Sequence, residues 1–402
     1  MSDLFIIAGL RTPFIRMGTD FDDLSAVDLG REVCSALLTR TGIDPAEIAE
    51  VIFGCVAQPH DSANLTRIIA LRSGIPRHIP AATVHRNCAS GMEAITTAHQ
   101  RILAGKGDLF LVGGTESMSR VPFFYPHATT KKFGALARAK SVSQKLAALT
   151  AFRPRDFKPQ VGLQLGLTDP FTGMGMGDTA ELLAREYAIT REQQDAFAAD
   201  SHRKAIAAKP ALAREITPIY HQGKAITGDN GLREDSTPEK LAKLRPVFDR
   251  QTGSVTAGNS SQISDGAVAL LVGSEAAVHK LGIEPLGRLT SYAYAGCDPA
   301  RMGLGPLNAI AMCGISPNEA DIIEINEAFA AQVLAVLKIQ HLDASRINRQ
   351  GGAIALGHPV GATGARLVLT ALHQLRASNG RRALASLCVG GGQGAALWLE
   401  RP

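Results

Sequence analysis

Gly42-Ile43-Asp44-Pro45-Ala46-Glu47 leads into the apolar run Val51-Ile52-Phe53-Gly54. About 270 residues later, Gly314-Ile315-Ser316-Pro317-Asn318-Glu319 leads into Ile322-Ile323-Glu324-Ile325. Both passages run from a glycine through a proline-containing turn into a short apolar strand. Leu111-Val112-Gly113-Gly114 and Cys388-Val389-Gly390-Gly391 stand at a similar separation. A period this long is not that of a solenoid. It predicts two homologous α/β halves packed together, with a site at their junction that draws residues from both.

Working outward, Leu4–Ala8 reads as a strand, Ala26–Leu38 as an amphipathic helix, Val51–Val56 as a strand and Ala63–Leu71 as a helix. Leu109–Gly114 reads as a buried strand running into a tight turn. Alternating strands and helices argue for a mostly parallel sheet covered on both faces. The pattern breaks between the halves, where Thr179–Tyr187 and Arg191–Ala208 read as helices in a stretch rich in Gly, Pro and Lys/Arg. The expected domains are therefore an N-terminal half over 1–118, an inserted helical and irregular loop domain over 119–250, the last strand of the N-terminal half over 251–274, and a C-terminal half over 275–402. Such an insertion suits a specificity-determining lid.

Arg86-Asn87-Cys88-Ala89-Ser90-Gly91-Met92-Glu93-Ala94-Ile95 places a cysteine at the join of a strand (Ala81–Val84) and a helix in which Met92, Ile95, His99 and Ile102 recur at helical spacing. Unpaired N–H groups and the helix dipole at that position favour thiolate over thiol. The residue pattern here leaves Cys88 open as a nucleophile or as a small buried side chain. By the duplication, the equivalent join in the second half is occupied by the His358 region.

The 402 residues are 45% hydrophobic and 20% charged with 40 glycines, the balance of a glycine-rich α/β enzyme rather than a disordered or fibrous chain. A net charge of +5 is mild for this length and does not point to nucleic acid. The six cysteines (Cys34, Cys55, Cys88, Cys297, Cys313, Cys388) show neither a CxxC pair nor metal-ligand spacing. They read as reduced thiols, and without a leader or a membrane-length apolar run the expected location is the cytoplasm. No metal, flavin or nicotinamide site is expected.

Charge is uneven, however. Lys131, Lys132, Arg138, Lys140, Lys145, Arg153, Arg155 and Lys158 face one acidic residue, Asp156, and alternate with Leu136, Val142, Leu146, Leu149 and Phe152, a set that fits one helical face. The segment reads as a solvated helix, as an attractor of an anionic phosphate-bearing substrate, as a membrane-surface helix or as a docking face for a partner.

Three further segments place a reactive side chain among small residues: Asn326-Glu327-Ala328-Phe329-Ala330, the glycine-dense run Gly351–Gly364 around His358, and Cys388-Val389-Gly390-Gly391-Gly392-Gln393-Gly394. Ligands of α/β sheets gather at the carboxyl ends of strands, and glycine lets backbone N–H groups approach a ligand. Cys with His is an activated nucleophile pair, and a second Cys serves as a separate acid and base.

Together NCASGMEAI, NEAFA, GGAIALGHPVGATGAR and CVGGGQGAA resemble the thiolase family. So do Met176–Glu181, Gln194-Asp195, Ser201-His202, Val255–Ser261 and Asp265-Gly266-Ala267, over nearly the whole chain. The resemblance implies a thiolase-like fold and a site with Cys88 as the acyl-accepting nucleophile and His358 as its base. It makes Cys388 the acid and base at the α-carbon of the acetyl unit. One oxyanion hole is implied from His358 and, through a water, Asn326, and a second from the backbone N–H groups of Cys88 and Gly390. Ser261 matches a position that contacts coenzyme A, which enters as substrate; no bound cofactor is implied. The activity expected is thiolysis of 3-ketoacyl-CoA in fatty-acid β-oxidation, with acetoacetyl-CoA synthesis on the same residues as the alternative and a silent acyl-CoA-binding scaffold as the distant one.

Two departures inform. Gln350 stands where many relatives have asparagine. The segment from Lys140 to Phe157 looks like the extended loop of β-subunits of fatty-acid oxidation (trifunctional) complexes, although those subunits usually carry histidine where this chain has Asn326. The partners expected are acyl-CoA and coenzyme A, a second copy in a homodimer or dimer of dimers, a hydratase/dehydrogenase α-subunit, and, from the basic segment, a membrane surface through 131–158.

Overall fold

Strand Leu109–Glu116 is buried along its whole length because helices cover both its faces. Phe110 and Val112 enter one apolar cluster while Leu109 and Leu111 enter another, the period-two alternation of a strand between two layers. The computed structural model describes residues 3–402. Its contacts separate 121–168 from a larger unit containing the rest.

Nine strands of the larger unit carry the main sheet: β1 (Leu4–Arg11), β2 (Glu50–Gly54), β3 (Ala81–Val84), β4 (Leu109–Glu116), β5 (Ser264–Gly273), β6 (Gly287–Gly296), β7 (Ile322–Ile325), β8 (Arg382–Val389) and β9 (Gln393–Glu400). Their order is β7-β8-β9-β6-β1-β5-β4-β2-β3, and the short strand Ile15–Arg16 pairs with β5. The parallel pairs β2–β3, β2–β4 and β7–β8 lie on the two flanks. The middle of the sheet is antiparallel. β8 and β9 are joined only by Gly390–Gly392, too short for the crossover that a parallel pair needs.

The α-helices of seven residues or more are α1 (Ala26–Thr41), α2 (Leu65–Arg72), α3 (Ser90–Leu103), α4 (His127–Arg138), α5 (Val142–Thr150), α6 (Met176–Glu186), α7 (Arg191–Ala207), α8 (Glu275–Leu281), α9 (Gly305–Cys313), α10 (Ala330–Gln340) and α11 (Val360–Ala377). Helix α1 shows why the local sequence folds this way. Ser25 and Asp28 close a capping box, Gly42 ends the helix at φ +64°, and Ala26, Leu29, Val33 and Leu37 form its buried stripe. Helices α1, α2 and α8 cover one outer face of the sheet on the first-half side, and α9 and α10 cover one on the second-half side. Between them, α3 and α11 share the central cluster with β1, β4, β5, β8 and β9.

The central helices meet nearly backbone to backbone. A Cβ on Gly91 would lie 2.6 Å from the Ala365 nitrogen, one on Gly364 2.8 Å from the Met92 nitrogen, and one on Gly114 1.9 Å from the Gly361 oxygen. Only glycine permits that approach, which brings the N-termini of α3 and α11 together.

The second-half join differs from the expected copy of the first. No full strand precedes His358; a single parallel bridge of Ile347 to Ile323 stands in its place, followed by the short helix Ala353–Leu356 and Gly357 at φ +103°.

In the smaller unit, the anticipated single amphipathic face is divided, because α4 and α5 are separate helices that break over Ala139–Ser141. Phe133 packs with Tyr125, Phe152 and Phe157, and Lys132 donates to Asp156 at 2.6 Å, holding that carboxyl below its usual range. None of the residues of α5 is buried, so Val142, Leu146 and Leu149 expose an apolar stripe beside Lys145.

Candidate active site

Cys88 lies two residues before the first helical residue of α3, in a loop that is fastened at several points. The Arg86 N–H donates to Ser90 Oγ, and Ser90 Oγ donates to the Asn87 carbonyl. Asn87 adopts φ +43°, a conformation asparagine tolerates better than most residues. Its Nδ2 donates to the Gly390 carbonyl at 2.7 Å, tying the nucleophile loop to the β8–β9 turn. Below the loop, the Arg86 guanidinium bonds Glu93 at 2.5 Å and lies 4.2 Å from the Tyr294 ring centre.

The β8–β9 turn returns the contact. Burial pushes the Cys88 thiol up to about 11, against a smaller opposing effect of the Gly390 N–H. Against the expectation of a thiolate favoured at the helix N-terminus, desolvation here favours the thiol. Cys388, at the end of β8, is almost fully buried. Its thiol is pushed far up by burial, and further by the neighbouring Cys88 and Cys297. Gly391 and Gly392 at φ +84° and +78° make the turn that presents Gly390.

His358 is 8% exposed. Burial, with the Arg366 guanidinium nearby, lowers its pKa to about 4, so the imidazole is neutral at physiological pH. Its backbone N–H donates to the Gln262 carbonyl at 3.0 Å, Nδ1 lies 2.6 Å from Thr363 Oγ1, and Nε2 lies 3.4 Å from Asn326 Nδ2. Asn326 follows β7, is fully buried, and donates its backbone N–H to the Ser386 carbonyl. Its Oδ1 has no protein partner among the described residues.

The segment after β7 is held by a polar clamp. The Asn348 carboxamide pairs with both backbone groups of Ile325 and donates to Glu327. Glu327 also accepts from Ser201 Oγ at 2.6 Å and from the Ile354 N–H. A second buried carboxylate, Glu116, accepts from the N–H groups of Val56, Ala57 and Gly361, joining the loop after β2 to the start of α11.

The six residues singled out from the sequence therefore fall into linked groups: Cys88, Cys388 and Gly390 around one turn, His358 with Asn326 at the start of α11, and Ser261 beside the latter. The Ser261 N–H donates to the carbonyl of Ala328, and its neighbour Gln262 holds the His358 backbone. Missed were Asn87, Glu116, Asn348 and Thr363. Asn87 adjoins Cys88, and Thr363 lies five residues after His358, so their spacing was available. Glu116, one charge ending an apolar strand, carried the clearest signal, and Asn348 had none.

Comparison with known proteins gives the same assignment for both halves. "Thiolase, N-terminal domain" matches residues 4–276 and "Thiolase, C-terminal domain" matches 283–401. The chain is 42% identical over 412 residues to an acetyl-CoA acetyltransferase of Pseudomonas aeruginosa, covering all of both chains. It is 39% identical over 420 residues to a 3-ketoacyl-CoA thiolase of Pectobacterium atrosepticum, covering 98% of this chain and 95% of that one. Among solved structures, human mitochondrial 3-ketoacyl-CoA thiolase in complex with CoA superposes with a TM-score of 0.91 at 37% identity, covering 100% and 98%. A duplicated α/β body whose two central helices present a cysteine and a histidine thus belongs, in this chain, to an acyltransferase of the thiolase family.

Proposed function

We propose that the protein cleaves 3-ketoacyl-CoA with coenzyme A to acetyl-CoA and a shortened acyl-CoA. The observation that carries this reading is the meeting of two helix N-termini, with Cys88 two residues before α3, His358 two residues before α11 and Gly91 against Ala365; Cys388 lies near enough to Cys88 for the one to raise the other's pKa. His358 Nε2 takes the Cys88 proton as Sγ attacks the C3 carbonyl, whose developing oxyanion is held by the N–H groups of Cys88 and Gly390. Collapse breaks C2–C3 and leaves the acyl group on Cys88. The departing acetyl-CoA enolate, stabilised by His358 and an Asn326-bound water, takes a proton at C2 from Cys388. Coenzyme A then gives its thiol proton to the Cys388 thiolate and attacks the acyl-enzyme; Cys88 leaves and recovers its proton from His358. Coenzyme A is a substrate throughout, with Ser261 contacting it, and the scheme uses no resident cofactor.

The names of the relatives cover both directions of this chemistry, so acetoacetyl-CoA synthesis by the reverse steps is the second reading. Thiolysis rates over a series of 3-ketoacyl chain lengths, with Cys88→Ala as control, separate them. Rates rising from acetoacetyl-CoA to medium and long chains support the degradative role. Activity confined to acetoacetyl-CoA supports the other, and none above the control would falsify both.

The exposed apolar stripe of α5 beside Lys140 and Lys145 supports peripheral contact of 131–158 with an anionic lipid surface. Deleting the segment should abolish co-sedimentation with anionic liposomes and leave short-chain turnover intact. Unchanged sedimentation would sink the lipid reading and turn attention to a hydratase/dehydrogenase α-subunit. Assembly as a homodimer or dimer of dimers is checked by sedimentation velocity. Among the described residues no helix is long and apolar enough to cross a membrane. Six free thiols support a reducing compartment, with the cytoplasm as the place to look first.

A further inference from the structure

We propose that Thr363 is a positioning residue for the base, fixing the tautomer of His358 so that Nε2 is the bare nitrogen. The inference rests on the reading of His358 as the base, and deepens it.

The argument is a count of hydrogens. Thr363 Oγ1 lies 2.9 Å from the Pro359 carbonyl and 2.6 Å from His358 Nδ1. A hydroxyl has one hydrogen, and a carbonyl oxygen only accepts. The Thr363 hydrogen therefore goes to Pro359, the back-bond a threonine makes to the residue four before it in a helix. The short contact to Nδ1 is then satisfied only if the imidazole donates through Nδ1–H to Oγ1. A neutral imidazole carries one N–H, so Nε2 is left with its lone pair. Asn326 supplies the matching group on that side, an Nδ2 donor at 3.4 Å.

The Pro359–Thr363 bond lies inside the first turn of α11, and Thr363 is fully buried. Solvent does not reach the hydroxyl to offer Nδ1 another partner. Helix α11 thereby performs two tasks with one turn: its glycines at 361 and 364 admit close contact with β4 and α3, and its threonine sets which face of the imidazole takes a proton. In the other tautomer Nε2 carries the hydrogen and has no lone pair for the Cys88 proton.

Thr363→Val keeps the volume and removes the acceptor, Thr363→Ser keeps the acceptor, and His358→Asn tests the underlying reading. The expected result is a fall in kcat of about 10- to 100-fold for Thr363→Val, within what positioned acid–base groups contribute. KM for coenzyme A should stay within about twofold, and Thr363→Ser should recover most of the loss. Thr363→Val within twofold of the unaltered protein in kcat, while His358→Asn is inactive, overturns the role of Thr363 and leaves the base in place. If His358→Asn is itself active, the reading beneath it fails instead. Should the valine variant fold poorly, ¹⁵N-histidine NMR of the unaltered protein, assigned by difference against His358→Asn, decides the matter. Protonated Nδ1 with bare Nε2 is expected, and the opposite tautomer overturns the proposal.

Discussion

The two helix N-termini that meet at the site are unequal copies. In the first half, β3 runs through a fastened loop into α3, and Cys88 keeps a partly exposed surface at the join. In the second, the strand has shrunk to the single bridge at Ile347, a helical turn intervenes, and His358 is enclosed to 8% exposure. On the proposed roles, the nucleophile has to meet substrate, whereas the base has to meet only the nucleophile. Desolvation acts at both positions, raising the thiol and lowering the imidazole, but only the cysteine keeps an exposed edge.

Replacing either side should expose that asymmetry. Cys88→Ala should have the largest effect, on the order of a 10⁴-fold loss of thiolysis or more, together with loss of acyl labelling from radiolabelled acetyl-CoA. Labelling that persists would move the nucleophile elsewhere. His358→Asn should slow turnover by about 10²- to 10⁴-fold and slow alkylation of Cys88 by iodoacetamide at pH 7, because the thiol no longer has a base. Alkylation at the unaltered rate would mean that Cys88 ionises without help.

The junction that brings the halves together can be loosened. Gly114→Ala places a methyl 1.9 Å from the Gly361 carbonyl, a backbone atom that cannot swing aside. About 3 kcal/mol of destabilisation in urea unfolding is expected, and a change within 0.5 kcal/mol would show that α11 shifts freely. The enclosure of His358 has its own signature. The unfolded residue takes a proton near pH 6.5 and the folded one only near 4, so its contribution to stability falls as pH drops through that window. The difference between the unaltered protein and His358→Asn should reach at most about 3 kcal/mol, and a flat difference from pH 7 to 4 would contradict a neutral buried imidazole. The smallest effect belongs to the exposed stripe of α5. Leu146→Glu should change stability by less than about 0.5 kcal/mol while weakening any liposome binding.

Much of the fold was legible because it is written in local patterns. The buried stripe and caps of α1, the apolar strand Leu109–Gly114 and the repeated Gly42 and Gly314 passages each encode one element. The candidate side chains Cys88, Asn326, His358 and Cys388 stood out for a related reason, since each sits among glycines and small residues that permit close approach. The clamp residues were less so. Asn348 serves Ile325 and Glu327 across more than twenty positions, and no spacing rule links them. The mixed direction of the sheet was also hidden, as apolar runs do not carry strand direction.

By itself, then, the sequence determined the repeated passages, the elements and the candidate side chains, because these depend on short-range periodicity, capping and residue type. Only the tertiary structure decided the protonation states. Cys88 is a thiol and His358 a neutral imidazole because groups distant in the chain remove water from both, and desolvation is a property of the packed surroundings rather than of neighbouring residues.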